Sequence, residues 1–261
     1  MLGKLLKYEI PAMGRKLLPL YVAWVATALL LGLSAQAADS REGFMLVIFG
    51  LLYTAIATAI FVMTVILIVQ RYSNSLLGDE AYFNHVLPVS VSEHIGNKAI
   101  SATLWIFVTV LVAILTGLMI ALGAIIVGAG DEFTFSQLFK DLAQIGINLP
   151  DHFALYVIEV VILFITSIVK TIMQIYTAVT VGHQVENHTT LASIGAYILV
   201  LMFESAVGRA FLPLFINIGY GPDGFMEFGK VFLPTFVLSI AFSAIYFFVC
   251  KYLMEKRLNL A

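Results

Sequence analysis

Residues 44–70 read FMLVIFGLLYTAIATAIFVMTVILIVQ, and none of these residues carries a charge. About 20 apolar residues are enough for a helix to cross the hydrocarbon core of a bilayer. The run is continuous, whereas the strands of a membrane β-barrel alternate apolar and polar residues over segments of about ten. Because a helix satisfies its own backbone N–H and C=O groups inside lipid, the stretch predicts a membrane-spanning helix.

Five further stretches have the same character, so the sequence predicts an all-α polytopic membrane protein with six transmembrane helices. They are Leu17–Ala37, Ile100–Gly128, Phe153–Gly182, Leu191–Gly208 and Val231–Cys250. Hydrophobic residues make up 61% of the chain and charged residues 11%, against roughly 25% charged in an ordinary soluble domain. These values exclude a soluble enzyme and a nucleic-acid binder, and they indicate a single transmembrane domain over 1–261.

No residue pattern indicates a cofactor or metal site. The net charge is −2 and the single cysteine, Cys250, excludes a thiolate cluster. His183 and His188 stand five residues apart, which does not place them on one helix face. Gly224 to Lys230 matches most of a phosphate-binding loop, but Val231 stands where Ser or Thr is needed and no strand precedes it. We therefore expect no enzyme activity and no bound cofactor in this chain.

The distribution of Lys and Arg predicts that both termini lie in the cytoplasm, since short cytoplasmic loops are rich in these residues. Nine fall on the side of the termini and four on the other. The nine are Lys4, Lys7, Arg15, Lys16, Arg71, Lys98, Lys251, Lys256 and Arg257, and the four are Arg41, Lys140, Arg209 and Lys230.

Residues 1–16 are expected to form an interfacial elbow helix on the inner leaflet. Lys4 and Lys7 can reach lipid headgroups while leucines share the opposite face. Pro11 and Gly14 should end this helix before the first span. A solvated tail is the alternative.

The predicted cytoplasmic loop over 71–99 contains two helix signals. Asp79 and Glu80 stand where carboxylates favour a helix N-terminus, and Pro88 ends the same helix. Ser90 and Glu93 have the spacing of a capping box, which predicts a second helix that continues into the third span.

The first of these two helices has an apolar side with no obvious role in a cytoplasmic loop unless a partner docks there. Its candidate docking residues are Asp79, Glu80, Tyr82, Phe83, Val86, Leu87 and Pro88. The alternative is that the apolar side chains rest on the membrane surface.

Two outer loops are expected, over 129–152 and 209–230. The first should contain a helix from about Ser136 to Ile147. In the second, the apolar run from Phe211 to Ile216 predicts a short helix that re-enters the outer membrane before the last span.

Three ionisable residues fall within the spans, where such residues are costly and therefore functional candidates. Glu159 lies eight residues after Asp151, roughly 12 Å into the bilayer, and is the candidate for a substrate pathway. A hydrogen bond to a neighbouring helix explains Glu159 equally well. Lys170 is placed near the inner surface and Glu204 near the outer one, and both are interpreted as interfacial anchors.

The layout resembles the permease subunits of ABC-2-type (type V) ABC transporters, of the small kind found in Gram-positive bacteria. The resemblance is carried by Gly78-Asp79-Glu80-Ala81-Tyr82-Phe83, followed by Leu87-Pro88-Val89-Ser90, in the first inner loop. The family has Gly where this chain has Ala81. The six spans and the apolar run near Phe211 extend the resemblance over the whole chain.

The resemblance implies a half-transporter in the bacterial plasma membrane. Two permease subunits, identical or different, would form the pathway. A separate cytoplasmic ABC ATPase would bind ATP and Mg and would dock on the 71–99 loop through a coupling helix. The family mostly exports peptides, drugs, lipids or polysaccharides. The alternative is a membrane scaffold or immunity protein that binds a ligand or recruits partners without transport.

Overall fold

The computed structural model describes residues 2–34, 43–78, 90–129, 140, 153–185, 188–215 and 228–256. All regular structure in these ranges is helical. Six long helices follow one another: α1 Leu2–Leu33, α2 Gly43–Leu76, α3 Val91–Ala129, α4 Phe153–Gly182, α5 Thr189–Phe215 and α6 Phe228–Lys256. Each is long and apolar enough to cross a membrane. The prediction of an all-α protein with six transmembrane helices is thus confirmed.

The junctions of α2 and α3 with the first inner loop are fixed by local hydrogen bonds. The N–H groups of Leu77 and Gly78 both donate to the carbonyl of Ser73, at 2.9 and 2.8 Å, which ends α2. The capping box predicted at the start of α3 is present: the Glu93 N–H donates to Ser90 Oγ at 3.3 Å, and the Ser90 N–H donates to Glu93 Oε2 at 3.2 Å. The described helices leave 77–90 between them, so the predicted 71–99 loop includes the last residues of α2 and the first residues of α3.

Residues 2–16 are part of α1, so the expected break at Pro11 and Gly14 is wrong. An interior proline removes one helix hydrogen bond, but neighbouring helices can support the backbone there. The indole N–H of Trp105 donates to the carbonyl of Ile10 at 3.2 Å. A Cβ at Gly14 would lie 2.8 Å from the Trp105 ring, so only glycine lets the indole approach this closely. Trp105 of α3 thus packs against α1 at the positions where a break was expected.

The apolar run near Phe211 also differs from expectation. Residues 211–215 are the last residues of α5, so no separate re-entrant helix begins there. The remaining residues of that run, and the helix expected from about Ser136 to Ile147, lie outside the described residues apart from position 140.

The chain divides into two compact units. One contains Met1–Glu9, Leu67–Leu104 and Ala154–Ala261, and the other contains Ile10–Ile66 and Trp105–Phe153.

In the second unit, α1, α2 and α3 are joined by aromatic and hydroxyl side chains. The hydroxyls of Tyr21 and Thr109 lie 2.6 Å apart, and those of Tyr53 and Thr116 lie 3.1 Å apart. The ring of Trp24 lies beside that of Tyr53, with centroids 5.9 Å apart. These hydrogen bonds satisfy polar groups that would be costly to leave unpaired inside a membrane.

The backbones of α1 and α3 lie so close together at Gly123 that we expect no residue larger than glycine to be tolerated there. A Cβ there would lie 2.8 Å from the carbonyl carbon and the Cα of Gly32, and backbone atoms cannot rotate away. We expect Gly123→Ala to lower the free energy of unfolding by about 1–3 kcal/mol, as overpacking typically does. Thermal denaturation of the purified protein in detergent measures this change.

Gly117 provides the matched control on the same helix, since a Cβ there would meet nothing within 4 Å. Gly117→Ala should leave stability unchanged or raise it, because alanine favours helix more than glycine does. Equal stability of the two alanine variants would contradict the close contact at Gly123.

In the first unit, α2, α4 and α6 share a buried core of tyrosine rings and small polar groups. Tyr72 stacks on Tyr176 with ring centroids 3.9 Å apart. The Tyr72 hydroxyl lies 2.7 Å from the Thr180 hydroxyl, and Thr177 Oγ1 lies 3.3 Å from the sulfur of Cys250. All five side chains are buried. This core fixes the three helices side by side near the predicted inner ends of α2, α4 and α6.

Candidate functional site

The candidate coupling residues fall in the part of the chain that the structure leaves undescribed. They are Asp79, Glu80, Tyr82, Phe83, Val86, Leu87 and Pro88. Their proposed helix and its docking role therefore stay predictions. The structure does describe the two helix ends that hold this segment, Leu76 of α2 and Val91 of α3.

A buried ionic cluster lies close to both of these helix ends, and we call Glu9, Arg71 and Lys98 the Glu9 cluster. Arg71 donates to both carboxylate oxygens of Glu9, from Nε at 2.6 Å and from Nη2 at 3.2 Å. Lys98 Nζ donates to Glu9 Oε2 at 2.8 Å. The side chains of Glu9 and Lys98 are each only 9% exposed, and that of Arg71 is 32% exposed. One carboxylate thus joins α1, α2 and α3.

The Glu9 cluster was not anticipated from the sequence, where Arg71 and Lys98 served only as indicators of orientation. A signal was present, because Glu9 is the only acidic residue between positions 2 and 33. A charged group that is removed from water needs an opposite charge nearby. A bidentate arginine–carboxylate contact is among the stronger hydrogen-bonded ion pairs. Sequence alone does not show which of many cations such a residue meets.

A second charged group lies inside the membrane-spanning parts of α4, α5 and α6, and we call Lys170, Glu204 and Tyr246 the Lys170 network. Lys170 Nζ donates to Glu204 Oε1 in an ion pair. The Tyr246 hydroxyl donates to Glu204 Oε2 at 3.4 Å. The side chains of Lys170 and Glu204 are 20% and 18% exposed. Three helices therefore meet at one charged pair.

This pairing overturns the interpretation of Lys170 and Glu204 as anchors at opposite membrane surfaces. Lys170 lies 12 residues before the end of α4, about 18 Å at 1.5 Å per residue. Glu204 lies 15 residues after the start of α5, about 22 Å by the same rise. Because α4 and α5 run in opposite directions from a short turn, the two residues reach the same depth. For Glu204 the error came from ending the fifth span at Gly208, whereas α5 continues to Phe215.

Glu159 lies six residues after the start of α4, about 9 Å along the helix. Its Oε2 atom is buried and has no hydrogen-bond partner among the described residues. The interhelical hydrogen bond that offered an alternative explanation for Glu159 is therefore not made by this oxygen within those residues. Glu159 and Lys170 stand 11 residues apart, which is three helical turns, so they share one face of α4.

Comparisons of the chain with protein-family models, with curated proteins and with solved structures find no match. Two arrangements of charged residues are candidates for function. One is the buried Glu9 cluster next to the predicted first inner loop. The other is the polar face of α4, where Glu159 and Lys170 lie within the predicted span.

Proposed function

We propose that the chain is the membrane-spanning permease subunit of an ATP-driven ABC transporter that exports a peptide, drug or lipid-like substrate. The observation that carries the proposal is the Lys170 network, together with Glu159 on the same face of α4. Ionisable residues at membrane depth are costly, and where they are retained they commonly mark substrate or ion pathways.

The proposal assigns ATP hydrolysis to a separate cytoplasmic ABC ATPase, which would bring ATP and Mg. A second permease subunit would complete the pathway in the bacterial plasma membrane, with both termini of each chain in the cytoplasm. The resemblance of 78–83 and 87–90 to the first inner loop of ABC-2 permeases supports this division of labour.

The position of the Glu9 cluster supports docking at the same loop. Arg71 lies five residues before the end of α2, and Lys98 lies seven residues after the start of α3. Glu9 ties both residues to α1. A movement imposed on 79–89 would therefore act on two helices that a buried carboxylate holds together, and it would reach α1 as well.

Removing two aromatic side chains from the loop tests the proposal. We expect the double variant Tyr82→Ala and Phe83→Ala to lose the ATPase, because a few aromatic anchors usually dominate an interface and truncating one costs about 2 kcal/mol or more. That loss corresponds to more than tenfold in affinity. The measurement is co-purification of the tagged chain with a co-expressed ABC ATPase from a neighbouring gene, where there is one, together with ATP-dependent transport in vesicles.

Tyr8 and Tyr252 provide a matched control, since both are exposed aromatic residues at the predicted inner ends of α1 and α6. The double variant Tyr8→Ala and Tyr252→Ala should retain the ATPase. Unchanged recovery and transport in the Tyr82 and Phe83 variant would mean that the loop only rests on the membrane. If the unmodified chain binds no ATPase, a scaffold or immunity protein becomes the better assignment.

A further inference from the structure

Glu159 is the carboxylate that the described parts of α4, α5 and α6 leave without a cation. Lys170 is already paired with Glu204. Arg209 lies exposed further along α5 and donates to the side chain of Ser205 at 3.2 Å. Lys251 pairs with Glu255 near the end of α6. Of the described carboxylates on these three helices, Glu159 is therefore the one without an ionic partner.

The carboxylate also has an unused hydrogen-bonding oxygen. Oε2 of Glu159 is shielded from solvent and accepts no hydrogen bond within the described residues. A buried acceptor without a donor is costly, and an anion in the hydrocarbon region is costlier still. A cationic N–H donor placed at Oε2 would supply the missing hydrogen bond and the missing charge together.

The face of α4 inward from Glu159 offers further polar groups to a bound molecule. Thr166 lies seven residues on, or two helical turns, and its hydroxyl donates to the carbonyls of Ile162 and Leu163 at 2.9 and 3.0 Å. Its oxygen retains lone pairs that can accept from a second N–H. Four residues further on, Lys170 ends this polar face with its charge already neutralised by Glu204.

We propose that Glu159 binds the cationic group, an ammonium or a guanidinium, of an amphipathic substrate. The apolar body of such a molecule would lie against the helix surface beside Glu159, where Leu155, Ile158 and Ile162 are exposed. This inference rests on the proposed transport function, because it names the class of substrate that the pathway recognises. It excludes anionic substrates, which the carboxylate of Glu159 would repel.

The test measures binding to the chain alone, without an ATPase, in nanodiscs of zwitterionic phosphatidylcholine. The probes are ethidium, followed by fluorescence anisotropy, and dodecylammonium and dodecylguanidinium as competitors. Neutral dodecanol and anionic dodecyl sulfate are the comparison ligands, and protein-free nanodiscs give the contribution of the lipid. We expect the cationic probes to bind at least tenfold more tightly than dodecanol.

Glu159→Gln should weaken binding of the cationic probes at least tenfold, and Glu159→Asp should restore part of it. Glu255→Gln is the matched control, since it makes the same charge change at an exposed position near the end of α6 and should leave binding unchanged. If Glu159→Gln does not fold, the Asp variant and the preference of the unmodified chain for cations over dodecanol decide the question.

The outcomes separate this inference from the permease proposal. If the chain binds its ATPase but no cationic probe binds in a way that depends on Glu159, the inference is wrong and the permease proposal stands. If cation binding depends on Glu159 but no ATPase binds the chain, the site is supported and the transport function is wrong. Failure of Glu159→Gln and Glu159→Asp to assemble, without any cation preference in the unmodified chain, would make Glu159 a structural residue.

Discussion

Glu9→Gln should lower the free energy of unfolding by about 3–5 kcal/mol, the range seen when one partner of a buried ion pair is removed. The substitution keeps the shape of the side chain and removes its charge. Arg71 and Lys98 would then lie together without the carboxylate that accepts three hydrogen bonds from them. Thermal or denaturant unfolding of the purified protein in detergent measures the change.

A second variant tests whether the loss of stability in Glu9→Gln comes from the unpaired positive charges of Arg71 and Lys98. The double variant Glu9→Gln and Lys98→Met removes the most buried cation as well and should be more stable than Glu9→Gln alone, since replacing a whole buried pair is often nearly neutral. Glu255→Gln is the control, because its pair with Lys251 is exposed and such pairs contribute about 0–1 kcal/mol. A Glu9→Gln effect as small as that of Glu255→Gln would contradict the structure of the Glu9 cluster.

Lys170→Met should destabilise the protein by about 3 kcal/mol or more, because it leaves the carboxylate of Glu204 inside the membrane without its cation. Glu204→Gln should cost a similar amount, since it leaves Lys170 unpaired. Tyr246→Phe should cost less, about 1 kcal/mol, as it removes one hydrogen bond of 3.4 Å and no charge. Unfolding midpoints in detergent or lipid give all three values.

The double variant Lys170→Met and Glu204→Gln decides whether the two residues act as a pair. If they do, the double variant is more stable than the sum of the two single losses predicts, because neither charge is left alone. Lys251→Met provides the control for loss of an exposed cation. Strict additivity of the two single effects would mean that Lys170 and Glu204 do not interact.

The number and kind of helices were predictable because span length and apolar composition are properties of a continuous stretch. Each predicted stretch lies largely within one helix of the structure. The capping box at Ser90 and Glu93 was predictable for the same reason, since its partners stand three residues apart. The other helix ends were less exact: α1, α2, α5 and α6 all extend beyond their apolar stretches.

The continuity of α1 shows where a local rule failed. Pro11 and Gly14 usually end a helix, and that rule considers only the residues around them. Trp105 stands 91 residues after Gly14, yet its indole contacts Gly14 and donates to Ile10. The physical reason is that a side chain of α3 packs against this part of α1, and a rule that considers only neighbouring residues does not include that contact.

Apolar stretches in the sequence were enough to predict an all-α membrane protein with six spans, and they placed Glu159 within a predicted span. The contacts of Glu9 with Arg71 and Lys98, and of Lys170 with Glu204, could be seen only in the packed helices. Hydropathy predicts the depth of a residue in the membrane, but the error in that depth is as large as the error in the helix ends. Hydropathy does not predict how a helix is rotated about its axis. Two charged side chains pair only if their depths and the rotations of their helices both match. These depths and rotations are established only when the helices pack.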